Sequence, residues 1–170
     1  EALGRDLHLH NPGRAILKSA FMRSVPIYVP AFTDSELGLD FSIHNQLRTM
    51  DGKRPLCFDP YLDLEDFTQR IRQTERLGIF TIGGGVPRNW AQQVGPYLEI
   101  QRVRIGRPEP VRRYRYAVRI CPEPEHWGGL SGCSYTEGVS WGKFVPESEG
   151  GRFAEVFADA TIAWPLVVRA

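Results

Sequence analysis

The chain has 170 residues, 42% hydrophobic and 24% charged, an ordinary balance for a globular domain that buries about 70% of its unfolded surface. A net charge of +1 gives no cationic excess for a phosphate backbone, so a nucleic-acid-binding reading has no electrostatic footprint. Arg102, Arg104, Arg107, Arg112, Arg113 and Arg115 read as a solvated loop and strand edge. No apolar run approaches the ~20 residues of a membrane span, and the N-terminus has no signal-peptide core. Cys57, Cys121 and Cys133 lack Cys-x-x-Cys spacing. They read as reduced thiols of a cytoplasmic protein, with neither a disulfide frame nor a metal site expected. With Glu1 in place of Met, translation is expected to begin upstream.

In chain order, the first apolar, β-branched run covers residues 25–29 and reads as a strand. A helix is expected over 35–50. A second is marked by Leu64, Phe67 and Ile71, which recur at helical spacing after Asp63, a candidate N-cap. A strand over 77–82 precedes a helix over 87–94, a Pro-containing loop over 106–110 and a strand over 115–120. Gly150-Gly151 marks a turn before a last strand over 153–157. Apolar strands alternating with helices predict an α/β domain whose parallel sheet is covered on both faces.

Open α/β sheets bind ligands where strands end and loops begin. Three segments take that position: Pro30-Ala31-Phe32-Thr33-Asp34, Gly83-Gly84-Gly85 and Ala158-Asp159-Ala160. The glycine triplet allows positive φ and close backbone approach, and a helix N-terminus behind it favours anionic groups such as a pyrophosphate. It reads equally as a tight strand-to-helix turn, and it is not the Gly-x-Gly-x-x-Gly fingerprint. Asp34 and Asp159 suit ribose hydroxyls or a substrate ammonium, while Asp34 suits a helix cap as well. Lys143 follows Trp141 and Gly142, and a partly apolar pocket there would lower the pKa of its amine and free it as a nucleophile; a solvated surface lysine is the bland alternative. Glu137, six residues upstream, offers an anion for a cationic substrate. His126 suits proton transfer or a surface role, and the His8-x-His10 pair is expected to be incidental.

Four stretches together resemble the deoxyhypusine synthase family, and most closely its bacterial deoxyhypusine synthase-like branch. They are Val25-Pro26-Ile27-Tyr28-Val29-Pro30-Ala31-Phe32-Thr33-Asp34, Gly83-Gly84-Gly85-Val86, Val139-Ser140-Trp141-Gly142-Lys143 and Phe157-Ala158-Asp159-Ala160. The resemblance implies a Rossmann-like domain over 1–170, forming the C-terminal catalytic half of a longer enzyme that assembles as a tetramer. The missing half would come from the same polypeptide or a partner chain. The resemblance also implies NAD as cofactor, held by Asp34, Gly83, Gly84, Gly85, Asp159 and Ala160. Lys143 matches the lysine that forms a covalent imine, and Glu137 and Trp141 match the spermidine pocket.

The implied reaction moves an aminobutyl group from spermidine to an acceptor amine, either a protein lysine or putrescine. Several anchors depart from the family pattern. Asn89 stands where the family has a histidine, Leu130 and Leu39 stand where it has aspartates, and Pro122-Glu123 replaces a Thr-Ala pair. Asp40 neighbours one lost aspartate, so Asn89 and Asp40 join the candidate substrate contacts. A rebuilt pocket suits homospermidine synthesis from putrescine; a catalytically inactive, NAD-binding regulatory paralogue is the rival from another class.

Overall fold

The computed structural model describes residues 2–170. Two short helices, α1 (Ala2–His10) and α2 (Ile16–Met22), pack on each other at the start. Then come α3 (Glu36–Met50), α4 (Tyr61–Gln73), β1 (Leu77–Ile82), α5 (Val86–Gln92), α6 (Val94–Ile105) and β2 (Tyr114–Ile120). Helix α7 (Tyr135–Ser140), strand β3 (Arg152–Val156) and helix α8 (Ala160–Arg169) complete the order.

The strands form one parallel sheet in the order β1-β2-β3. Ile79 pairs with Ala117 and Ala117 with Phe153, while Phe80 pairs with Val118 and Val118 with Ala154. Because side chains alternate along a strand, these two rows lie on opposite faces. The first face carries the core: Ile71 from α4, Val94 and Leu98 from α6, Tyr135 from α7, and Phe144. Tyr135 stacks on Phe153 with ring centroids 4.8 Å apart and meets Phe144 edge-on at 5.1 Å. On the other face α8 lays Trp164 against Phe80, centroids 5.4 Å apart. The expected α/β, Rossmann-like layering, with helices on both faces, is what forms.

Residues 25–29 join no strand, so the expected first strand is absent. Pro26 and Pro30 each lack the N–H that a ladder requires. The segment is held by Tyr28 instead. Its ring packs on Phe67 and Trp90, centroids 5.4 and 5.6 Å away, and its hydroxyl donates to Asp66.

Three further expectations need correction. Asp63 is not the cap of α4; Pro60 holds that position, and Asp63 lies in the first turn, where its charge complements the helix dipole. Ser35 caps α3 by accepting from the Gly38 N–H, so Asp34 does not serve there. The helix expected over 87–94 divides into α5 and α6, and α6 continues to Ile105, placing Arg102 and Arg104 on a helix. Pro96 hid this continuation. In the first turn of a helix, however, a missing N–H forfeits no intrahelical bond. Among the described residues, no helix is long and apolar enough to cross a membrane.

Candidate active site

Lys143 is delivered by a short, heavily tied loop. Ser134 caps α7, its hydroxyl accepting from the Glu137 N–H at 3.1 Å. The helix ends at Trp141, and Gly142 turns the chain with φ +73°. The Lys143 N–H then donates to the Gly138 carbonyl at 2.9 Å, and its own carbonyl accepts from Tyr114 at 3.0 Å. Val145 donates to Tyr114 at 2.9 Å, which docks the loop on the start of β2 with Phe144 fully buried. Gly138 is required here, because a Cβ would stand 2.5 Å from the Phe144 ring.

These ties leave the Lys143 side chain only 6% exposed. Its Nζ donates to Asn89 Oδ1 at 2.8 Å, and Asn89 is brought from α5. Burial pushes the amine below the ordinary lysine value, aided by the Arg88 charge and opposed by Cys133 and Glu137. A neutral amide partner accepts from the amine without giving it a counter-charge. The site therefore shifts the lysine toward its neutral, nucleophilic form relative to an exposed lysine.

Above the lysine, residues 130–133 are pinned by two buried guanidiniums. Arg88 donates to the Ser131 and Cys133 carbonyls at 2.9 and 2.8 Å, and Arg119 donates to the same two at 2.6 and 3.0 Å. Arg119 also pairs with Glu155 at 2.8 Å. Gly84 sits directly on this loop, where a Cβ would meet Ser131 Cα at 2.7 Å. The close approach expected at Gly84 is thus to protein backbone. Gly83, with φ +78°, has open space beside it.

Glu137 is exposed on α7 and, with Glu125, Leu130, Cys133 and Ser134, lines a cavity of about 290 Å³. Burial pushes the Cys133 thiol up, and the neighbouring Glu137 carboxylate pushes it further. A larger hollow of about 600 Å³ opens between α1, α2, residues 25–29 and α4, and no candidate site residue lines it.

The three strands end side by side. Gly83 N–H donates to Ile120 at 2.8 Å, and Cys121 N–H donates to Val156 at 3.0 Å. The glycine triplet and Asp159 therefore stand at the same C-terminal end of the sheet, on either side of the end of β2. Asp159 caps α8, its Oδ1 accepting from the Thr161 N–H at 2.8 Å and from the Thr161 hydroxyl at 2.6 Å. Those bonds hold its carboxyl below the usual carboxylate range. Ala160 begins α8.

Other candidates stand apart from this cluster. Asp34 ends a 3₁₀ turn (Phe32–Asp34) before α3, Asp40 lies on α3, and both are exposed. Trp141 is 63% exposed at the end of α7, and the side-chain partner of the Lys143 amine is the Asn89 amide. His126 is exposed in a 3₁₀ turn beside Trp127. Sequence reasoning missed Arg88, Arg119 and Cys133. The one available signal was an arginine inside the apolar strand sequence Tyr-Ala-Val-Arg-Ile.

The deoxyhypusine synthase family model matches residues 1–170. A probable deoxyhypusine synthase 2 of Methanosarcina acetivorans is 37% identical over 169 residues, which is 99% of this chain and 45% of the relative. A probable deoxyhypusine synthase 2 of Archaeoglobus fulgidus is 34% identical over 90% of this chain and 46% of its own length. A deoxyhypusine synthase-like protein of Chlorobaculum parvum is 35% identical over 90% of this chain and 40% of its own length. The chain thus spans less than half the length of these curated relatives. With the family model covering its whole length and the tied lysine loop and glycine turn in place, the chain belongs to the deoxyhypusine synthase family.

Proposed function

We propose that this chain is the C-terminal catalytic half of an NAD-dependent transferase that moves an aminobutyl group from spermidine to an acceptor amine through an imine on Lys143. The observation that carries this reading is the buried Lys143 amine, hydrogen-bonded to the neutral Asn89 amide and lowered in basicity. The neutral amine attacks the oxidised carbon of the aminobutyl fragment. A C–N bond forms to Lys143 and diaminopropane leaves. The acceptor amine then displaces Lys143 by exchange at the same carbon, regenerating the free lysine. Glu137, on the cavity beside the amine, suits the ammonium of the bound polyamine.

Three features fit a nicotinamide dinucleotide at the strand ends: the open space at Gly83, the positive φ of Gly83 and Gly85, and the exposed Asp159, whose Oδ2 is left for a ribose hydroxyl. Bound NAD supplies the hydride acceptor and donor that the oxidation and final reduction require. Asp34 and Asp40 complete the proposal only if the remaining half of the enzyme, from the same polypeptide or another chain, brings α3 toward this edge. The family assembly we propose is a cytoplasmic homotetramer.

The replacements at Asn89 and Leu130 rebuild the acceptor side of the pocket, and putrescine is the alternative acceptor to a protein lysine. An amide cannot shuttle a proton as the family histidine can, and Leu130 removes a further carboxylate from the loop. With putrescine as acceptor the product is homospermidine. The test is borohydride trapping of the full enzyme with NAD and spermidine, followed by peptide mass spectrometry. An aminobutyl adduct is expected on Lys143 and none in Lys143→Arg, because a guanidinium stays protonated. An adduct elsewhere refutes the assignment, and none in wild type supports the inactive regulatory paralogue. Product analysis with putrescine identifies the acceptor.

A further inference from the structure

We propose that Arg88 is the positioning residue of the site: its guanidinium clamps the backbone of residues 131–133 under Gly84, and it is the buried cation next along α5 to Asn89, which holds the Lys143 amine. This rests on Lys143 being the amine that forms the imine.

Arg88 is 6% exposed, and its two terminal nitrogens donate to the carbonyls of Ser131 and Cys133. No carboxylate pairs with it among the described residues, and its Nε is buried without a partner. Arg119 binds the same two carbonyls but has Glu155 as counter-ion. Two buried cations thus share one carboxylate, although a buried, unpaired charge is costly. A clamp needed only for packing would carry less cost as a neutral donor or with its own acid. The next residue along α5 is Asn89, which holds Lys143, so one turn of helix fixes both the loop and the amine.

The groups facing the amine come from every neighbouring element. Glu137 projects from α7 and Cys133 from the loop, while Arg88 comes from α5. Glu99 of α6 stands 3.7 Å from where a Gly142 Cβ would be. From β2, Tyr114 turns its hydroxyl to the Ala91 carbonyl, and Arg119 lies 5.9 Å from the centroid of the Tyr135 ring. Burial is the main force against the ammonium form, and the Arg88 charge adds to it while Cys133 and Glu137 oppose it.

The experiment is competitive acetylation of lysines against pH in the full enzyme, with Lys143 quantified by mass spectrometry, alongside amide exchange of residues 129–134. Neither readout needs NAD, spermidine or turnover. A failure here with a Lys143 adduct still trapped removes this inference alone. Arg88→Gln should move the Lys143 midpoint to higher pH and speed loop exchange roughly tenfold. Arg88→Lys should restore the wild-type midpoint while the loop still exchanges faster, because an ammonium is a point charge that cannot fork across two carbonyls. A wild-type midpoint in Arg88→Gln overturns the charge role, and wild-type protection in Arg88→Lys overturns the clamp. If Arg88→Gln does not fold, the exchange measurement on Arg88→Lys decides.

Discussion

Alanine at position 84 places a carbon 2.7 Å from Ser131 Cα and 2.9 Å from its Cβ. Carbon atoms rest about 3.5–4.0 Å apart, so the contact is short by about 1 Å. Gly84 is not among the residues with positive φ, which makes the penalty one of contact and not of conformation. The neighbour is backbone held by Arg88 and Arg119, so it cannot swing away as a flexible side chain would. Overpacking of this kind costs about 1–3 kcal/mol, and a clamped loop puts Gly84→Ala in the upper half. At about 2–4 °C per kcal/mol for a domain of this size, Tm should fall by about 5–10 °C. Gly83→Ala is the control: φ is +78° with nothing within 4 Å, so it should lose about 1–2 kcal/mol by conformation alone. Circular dichroism melts with amide exchange of residues 129–134 separate the two. Loop protection should drop in Gly84→Ala and persist in Gly83→Ala. A Gly84→Ala protein that melts with wild type would refute the close approach.

The lowered Lys143 amine has a consequence for stability. Below its folded pKa the buried ammonium weakens the fold, and stability recovers as pH rises through that pKa toward the ordinary 10.5. Wild type should therefore gain Tm relative to Lys143→Met between about pH 7 and about pH 10; a constant difference would show an unperturbed lysine. Glu109, with its side chain 2% exposed, accepts both Arg72 Nε and Nη2 at 2.7 Å, and Arg72 holds its carboxyl below the usual range. Its stabilisation is present above the unfolded carboxylate value and is lost as pH falls through the lower folded one. Glu109→Gln should cost about 2–3 kcal/mol by denaturant melts, less than a fully buried pair because Arg72 keeps some exposure; a loss under about 0.5 kcal/mol would show a pair that water already screens. Calorimetry of NAD binding should show weakened affinity in Gly83→Ala, and unchanged affinity would remove the cofactor from the glycine turn.

The strands over 77–82, 115–120 and 153–157 were legible because each is a short β-branched or aromatic run closed by glycine, proline or a polar turn. The run over 25–29 looked the same by composition. Its two prolines decide against a ladder, and only the absence of a pairing partner in space reveals that. Helices α6 and α8 were missed because Pro96 and Pro165 read as breakers. Lys143 could be singled out from its motif, yet the partners that hold it, Tyr114 and Asn89, lie 29 and 54 residues upstream. The Arg88–Arg119 clamp could not be read at all. Pairing of long-range donors with carbonyls leaves no periodicity in the chain.

The surface left open by this fold supports a prediction about what surrounds it. Parallel sheets are normally buried on both faces. Here Phe80, Ile82, Tyr116 and Val156 on the α8 side remain 42–48% exposed, despite the cover that Trp164 gives. Leu39, Ile43, Leu47 and Met50 of α3 and Ile162, Leu166 and Val168 of α8 are also exposed. Among the described residues, the outer edges of β1 and β3 have no strand beside them. Exposed apolar surface on this scale suits an interface. The curated relatives supply a candidate for it, since 54–60% of their length lies outside the matched region. Residues 1–170 expressed alone should therefore bind a hydrophobic dye, melt with poor cooperativity and elute as aggregates. Co-expression with the unmatched half of a relative, fused or separate, should suppress dye binding and sharpen the melt. A dye-silent, cooperatively melting monomer of residues 1–170 would show that α3, α8 and the sheet edges need no cover.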